Sequence, residues 1–430
     1  MDIEALSKAT KIVILSVFFF CGCAGPGRGP LVVTDRPSPD VRLSSEMQLM
    51  DVPVRKMSAA IDQDGHIHVL ALVSKPPKLH HLVIDREGVL NREVLISSDS
   101  YDYDHLDIAF DGSGNLHTIV DRDHFVLEKG TLRKLAKDPC VKLIRGGQDL
   151  FCLSRVEGKD VGAPGDWDWY FGAIGGGYPP GVCCWLFPWH SHPDKLVLAR
   201  RTPEGWSRLA LLDVEKKFEI ENPSIAADKS GTLHVLYKTE EGGSVREEQC
   251  AYARIEPMIS GNSSESIQSQ VSDQEEPPRT LAKVSGRAVI SRQLSSLECI
   301  DIAADPETGT VLITVRESHA RSGVYWSYSH CHIVEGGKIS REIPMYDFDD
   351  ALQVEPGGGG RFLALGVWSA QAKTTYIYYL EYRDNMWSAP VELVRDDGVG
   401  NVVLVSDLDR RAFALWTDKD GRPVARWIER

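Results

Sequence analysis

Three stretches of the chain share one spacing, D-x-x-G-x-x-H. They are Asp62-Gly65-His68 in AAIDQDGHIHVLAL, Asp111-Gly114-His117 in IAFDGSGNLHTIV and Asp228-Gly231-His234 in SIAADKSGTLHVLYK. In each, an apolar run stops at the Asp, the chain turns through the Gly, and a second apolar run begins. A fourth copy, Asp305 to Gly309 in IAADPETGTVLITV, has one more turn residue and Leu312 in place of His. Weaker copies are LIRGGQDLFCLS, LQVEPGGGGRFLALGVW and VLVSDLDRRAFALW. Such a repeat restricts the chain to architectures that use one supersecondary unit many times.

Each unit continues alike. A third apolar run follows, such as KLVLARR, CAYARI, VYWSYSH or YIYYLEY, and then a fourth, often opened by Trp-Ser as in GWSRLALLD and NMWSAPVELV. Short strands with turn signals, in units of about 40 to 50 residues and without a helical period between them, predict an all-β chain folded as a β-propeller. Counting units gives seven four-stranded blades, or six if the degenerate unit near residue 147 is discounted. The last unit, NVVLVSD, AFALWTD and PVARWIER, is one strand short, and VRLSSEMQLM near the N-terminus is the segment that could complete it and close the ring.

In a strand–turn–strand hairpin, Gly supplies a positive φ and Asp accepts the backbone hydrogen bonds that fix the turn. Asp62, Gly65, Asp111, Gly114, Asp228, Gly231, Asp305 and Gly309 are therefore read as structural turn residues. The His position runs His68, His117, Phe151, His234, Leu312, Leu363, Phe413 down the units, so its histidines are expected to be satisfied interior groups. The hairpin resembles the Asp-box, or BNR-like, motif S-x-D-x-G-x-T-W of sialidases and related propellers, with His-Val or similar in place of Thr-Trp. That resemblance implies a fold, because Asp-boxes are structural and lie opposite the active site of those enzymes. A sialidase would also need three arginines on the substrate carboxylate and a Tyr–Glu pair, and no arginine motif begins such a set near the first strands.

If the Asp turns define one face, the connections between blades define the other, where propellers usually bind ligands. Those connections, SSDSYDYDHLD, AKDPC, SLEC, YDFDD and RDDGVG, are acidic. Candidate ligand-binding residues there are Asp102, Asp104, His105, Glu298, Asp347, Asp349, Asp350 and Asp396, a set suited to Ca²⁺, an amine or a basic segment. No cofactor beyond that Ca²⁺ expectation is implied, and no motif selects a catalytic pair. Beside this mouth belongs the long second-to-third-strand loop of the third unit, residues 157–193, whose aromatic core includes Trp167, Trp169, Trp185 and Trp189. Such faces suit sugar stacking or partner docking. Cys183, Cys184, His190 and His192 in the same loop are soft-metal ligand types without the common C-x₂-C spacing. A second excursion, residues 256–280, is polar and reads as disordered.

Lys8 and Lys11 precede the apolar run Ile12–Phe20, which is too short to span a bilayer and reads as a signal-peptide core. The following FFFCGCAG resembles a bacterial lipobox, with Cys23 as the lipidated residue, although Phe three positions upstream and Asp2 and Glu4 in the leader depart from the pattern. The resemblance implies a signal peptide over 1–22, a flexible tether over 23–40 and a propeller over 41–430, held at the cell envelope. With Ala24 after the lipidated residue, it implies the outer membrane. Seven cysteines then remain for an oxidising compartment, and Cys140 and Cys152, on paired strands of one unit, are a candidate disulfide. A formal charge of −14 excludes a nucleic-acid partner. The reading is a lipid-anchored envelope propeller that binds a glycan or an envelope protein. The alternative is a sialidase-like hydrolase or lyase working at the same face.

Overall fold

The computed structural model describes residues 36–429, apart from 98–105, 122, 129–130, 138–139, 147, 157–194, 203–204, 214–217, 242–247, 258–281, 294–295, 322–323, 341, 347, 349–351, 370–373 and 408–410. Among the described residues every helix or strand is a strand, and the strands form seven antiparallel sheets. Each sheet is one blade. The innermost strands, in order, are Val54–Ile61, Leu106–Phe110, Cys140–Gly146, Phe218–Ala227, Leu297–Ala304, Leu352–Gly358 and Gly400–Ser406. Each abuts the next, and the seventh abuts the first, so the ring is closed.

The degenerate unit near residue 147 forms a full blade 3, which settles the count at seven. Closure comes from the N-terminus, as the strand missing from the seventh unit predicts. Arg42–Leu43 and Met47–Gln48 both pair with the last strand, Pro423–Glu429. Ser44 reinforces the seam by donating its backbone N–H to Trp427 O and accepting from Trp427 N at its hydroxyl.

Because successive strand residues point to opposite faces, every blade offers an apolar face to each neighbour, and the core is a ring of wedges rather than one central mass. Between blades 4 and 5, for example, Leu236, Tyr252, Leu297, Ile302, Val311 and Ile313 pack together. A disulfide, Cys250–Cys299, crosses this wedge from the third strand of blade 4 to the innermost strand of blade 5. A second, Cys140–Cys152, lies within blade 3. Cys331 is a free, buried thiol that accepts a hydrogen bond from Trp387 Nε1 at 3.4 Å; burial pushes its pKa up to about 12, so it stays protonated.

The Asp turns repeat at the level of single hydrogen bonds. Asp62 Oδ1 accepts from Asp64 N and His66 N, both at 2.9 Å, and Gly65 follows at φ +84°. Asp111, Asp228 and Asp305 accept pairs of turn amides in the same way. Asp305 also accepts Gly360 N of blade 6 through its other oxygen, which ties one turn to the next blade.

Candidate functional site

The repeat fixes which residues reach the central channel. In every blade one innermost residue pairs with the His position: Ala60, Ala109, Ile144, Ala226, Ala303, Glu355 and Val405. Two residues earlier, on the same side of the strand, stand Ser58, Asp107, Lys142, Ser224, Asp301, Gln353 and Val403. Ordered around the ring, this second set forms a circumferential layer.

Most of the layer is tied from blade to blade. Ser58 Oγ donates to Asp107 Oδ1 at 3.3 Å, and Asp107 Oδ2 accepts Leu143 N of blade 3 at 2.7 Å. In blades 4 to 6 the pattern recurs: Ser224 Oγ donates to Asp301 Oδ1 at 3.0 Å, and Asp301 Oδ2 accepts Val354 N at 3.1 Å. Asp301 Oδ1 also accepts Ile302 N at 2.9 Å. Gln353 continues it, its Oε1 accepting Leu404 N of blade 7 at 2.7 Å.

Two channel residues are different, Lys142 of this layer and Glu355 of the first set. Lys142 extends into open space, yet protein surrounds it on all sides, as a side chain inside a channel must be. Neither its ammonium nor the Glu355 carboxyl hydrogen-bonds another described residue. Asp107, and after it Asp301 and Glu355, raise the Lys142 pKa and keep the ammonium charged. Enclosure pushes Asp301 up against the pull of Lys142 and of its donors. Enclosure, with Asp301 adding to it, takes Glu355 up to about 8, so at neutral pH Glu355 is a neutral acid beside a cation. The channel thus offers two donors and, at Asp107 and Asp301, oxygens already engaged.

A pH dependence follows. Between its ordinary value of 4.5 and about 8, Glu355 keeps its proton in the folded chain and loses it in the unfolded one, so its contribution to stability falls as pH rises through that window. Glu355→Gln cannot ionise and is expected to match the wild type near pH 4.5. At pH 9 it should be more stable by about 2 kcal/mol; the ceiling is about 5 kcal/mol, and solvent reaching a half-buried carboxyl lowers it. Urea unfolding at the two pH values checks this.

The sequence-derived candidates divide. Asp102, Asp104, His105, Trp167, Trp169, Trp185, Trp189, Asp347, Asp349, Asp350, the metal-type residues Cys183, Cys184, His190 and His192, and Cys23 lie outside the described residues. Glu298 is half-buried and bonded to Arg316 Nε at 2.7 Å, so its charge is matched across the sheet. Asp396 accepts Asp397 N and stands at the blade edge. The channel layer itself was legible in register, since the fourth residue before the Asp reads Ser58, Asp107, Ser224 and Asp301 in the clear copies.

The repeat histidines of blades 1 and 2 are structural. His68 and His117 each reach their turn aspartate at 3.2 Å through Nε2. His117 Nδ1 meets His124 Nε2 at 3.0 Å, and Trp206 of blade 3 donates to His124 Nδ1 at 3.2 Å. With one proton on each Nε2, both rings are satisfied as neutral imidazoles, and burial holds His124 down at about 3. Among the described residues Asp62, Asp64 and His66 bring metal-ligand types together, but the Asp62 oxygens already serve the turn amides, His66 and His68.

No family model matches the chain, and no curated protein matches it. Among solved structures it is similar to a protein of unknown function from Dyadobacter fermentans DSM 18053, with 11% identity, a TM-score of 0.45, and 91% of this chain and 99% of that one covered. It is similar at 10% identity and a TM-score of 0.45 to an α-L-arabinofuranosidase from Fusarium graminearum, over 90% of this chain and 98% of that one. A Penicillium chrysogenum α-L-arabinanase complexed with arabinobiose stands at 8% identity and a TM-score of 0.43, with the same coverage of 90% and 98%. Likenesses this distant carry no argument about what this chain binds. The chain is an all-β, seven-bladed propeller.

Proposed function

We propose that this chain is an exported propeller, held at the outer membrane by lipid on Cys23, that binds a glycan or an envelope protein at the face where its blades connect. Residues 23–40 are its tether, and the acids Asp102, Asp104, Asp347, Asp349 and Asp350 with the Trp-rich 157–193 loop are its contact surface, with Ca²⁺ as the ion those acids would take. The observation that supports binding over turnover is the engagement of the channel aspartates. Asp107 and Asp301 are held by Ser58, Leu143, Ser224, Ile302 and Val354, so neither has a free oxygen to act as base or nucleophile beside Glu355. Glycoside cleavage needs two working carboxyl groups. The alternative, a glycoside-active enzyme, draws on the proton Glu355 holds at neutral pH, the state a general acid requires.

The test uses the full chain in a sugar-free detergent. A melting temperature raised by Ca²⁺ or by a member of a soluble-glycan panel, with the rise lost in Asp349→Asn/Asp350→Asn, is the expected result, together with no release of nitrophenol from 4-nitrophenyl glycosides. Nitrophenol release that disappears in Glu355→Gln would replace the binding reading with the enzymatic one. In a bacterial host, an alkyne-tagged palmitate is expected to label the wild type and not Cys23→Ser; equal labelling of both would remove the anchor from the account.

A further inference from the structure

Between blades 4 and 5, on the face that carries the Asp turns, lies a cavity of about 440 Å³. That size falls in the range of small-molecule sites. Its origin is a local change in the repeat. In blades 1 and 2 the histidine closes on its aspartate at 3.2 Å and a second histidine backs it, His81 at 2.9 Å or His124 at 3.0 Å. Blade 4 has Tyr252 in that second place, its hydroxyl 2.7 Å from His234 Nδ1.

When Tyr252 donates to Nδ1, the neutral His234 ring carries its proton on Nε2. Among the described residues that Nε2 has no well-formed hydrogen bond: its nearest acceptor, Asp228 Oδ2, stands off at 3.5 Å. His234 is nevertheless only 3% exposed and lines the cavity. Arg254, directly opposite His234 in the sheet and also lining the cavity, leaves a buried Nε without an acceptor. Two buried nitrogens without close acceptors, on two residues that line one space, are an arrangement native proteins rarely leave unused.

The charged residues lining this space are two of each sign, Lys229 and Arg254 against Asp228 and Glu307, and Arg254 is also paired with Glu256 beside it at 3.2 Å. A balanced wall disfavours an ionic ligand, which would leave one sign unmatched, and suits a ligand whose groups both donate and accept. The glycine turn at Gly336 and Gly337 leaves the wall low enough for close backbone approach. We propose that this cavity binds a neutral, hydroxyl-rich ring of monosaccharide size, with His234 and Arg254 donating to its oxygens and Asp228 Oδ2 accepting from a hydroxyl. The site is separate from the channel and from the blade-connection face, and it holds whether or not that face binds anything.

Saturation-transfer NMR on the full chain in a sugar-free detergent tests it, with D-glucose, D-galactose, D-mannose and N-acetyl-D-glucosamine as probes, and sodium glucuronate and L-alanine as charged and zwitterionic counter-probes. The expected result is transfer to at least one neutral sugar, weakened at least tenfold in Arg254→Met and in the surface variant Lys229→Glu, and unchanged in Lys142→Met. Lys229→Glu alters an exposed turn residue, so its folding is not at issue, and the melting curve of each variant confirms that the fold is intact. Absence of transfer to every neutral sugar would overturn the proposal. Preference for glucuronate or alanine, or binding that survives both cavity variants, would do the same. Loss of binding only in Lys142→Met would assign the sugar to the channel instead and also overturn it.

Discussion

Replacing Cys250 and Cys299 together by alanine is expected to lower the stability of the propeller by about 4 kcal/mol. The bond closes a loop of 49 residues, and in the chain-entropy model a loop of that length restricts the unfolded ensemble by about that amount. It also crosses between blades. Both sulfurs lie in the wedge where Leu236, Tyr252, Leu297 and Ile302 meet, so its loss frees the blade 4–5 joint as well as the unfolded chain. The Cys140–Cys152 bond spans only 12 residues within one blade, and its removal should cost less, about 3 kcal/mol. Urea unfolding of the two double variants checks the order as well as the size; equal midpoints for wild type and Cys250→Ala/Cys299→Ala would refute the first expectation.

Asp301→Ala is expected to cost about 2–3 kcal/mol. Its carboxylate receives Ser224 Oγ, Ile302 N and Val354 N, from blades 4, 5 and 6, and it faces Lys142. Alanine leaves two backbone donors and a hydroxyl without an acceptor inside the ring, each buried group costing about 1–3 kcal/mol where water cannot replace the partner. Since Ser224 can turn away and solvent reaches part of the channel, the sum falls well short of three full penalties. A carboxylate kept for chemistry behaves differently, because replacing it relieves an unfavourable site and leaves stability level or higher.

The architecture was legible because a propeller writes its blade into the sequence seven times, and an Asp turn marks five of the copies, at Asp62, Asp111, Asp228, Asp305 and Asp407. Even the ring closure could be read, from the strand missing after Pro423–Glu429. The unit near residue 147 was the hardest to count: Gly146 and Phe151 replace the Asp and His there, as Gly357 and Leu363 do in blade 6, and strand pairing shows it to be a full blade. Sites were harder to read. The acidic connections drew attention as local runs of charge, whereas the channel layer has one residue per blade and becomes a group only when distant strands converge on the axis. Lys142 and Glu355 are separated by more than half of the ring's sequence and by no motif. The Cys250–Cys299 bond was hidden for a related reason, since its partners pair with strands of different blades and meet only across a wedge. The histidines illustrate the reverse case, since a column that alternates His with Phe and Leu already announces an interior position.

The claim on which the functional reading rests is that the channel aspartates hold blades together rather than perform chemistry. Urea unfolding of Asp301→Ala beside the wild type, both as the full chain at pH 7, tests it most directly. The account predicts a lower midpoint, equivalent to a loss of about 2–3 kcal/mol. An Asp301→Ala chain as stable as the wild type, or more stable, would contradict it and return the channel carboxylates to the enzymatic reading.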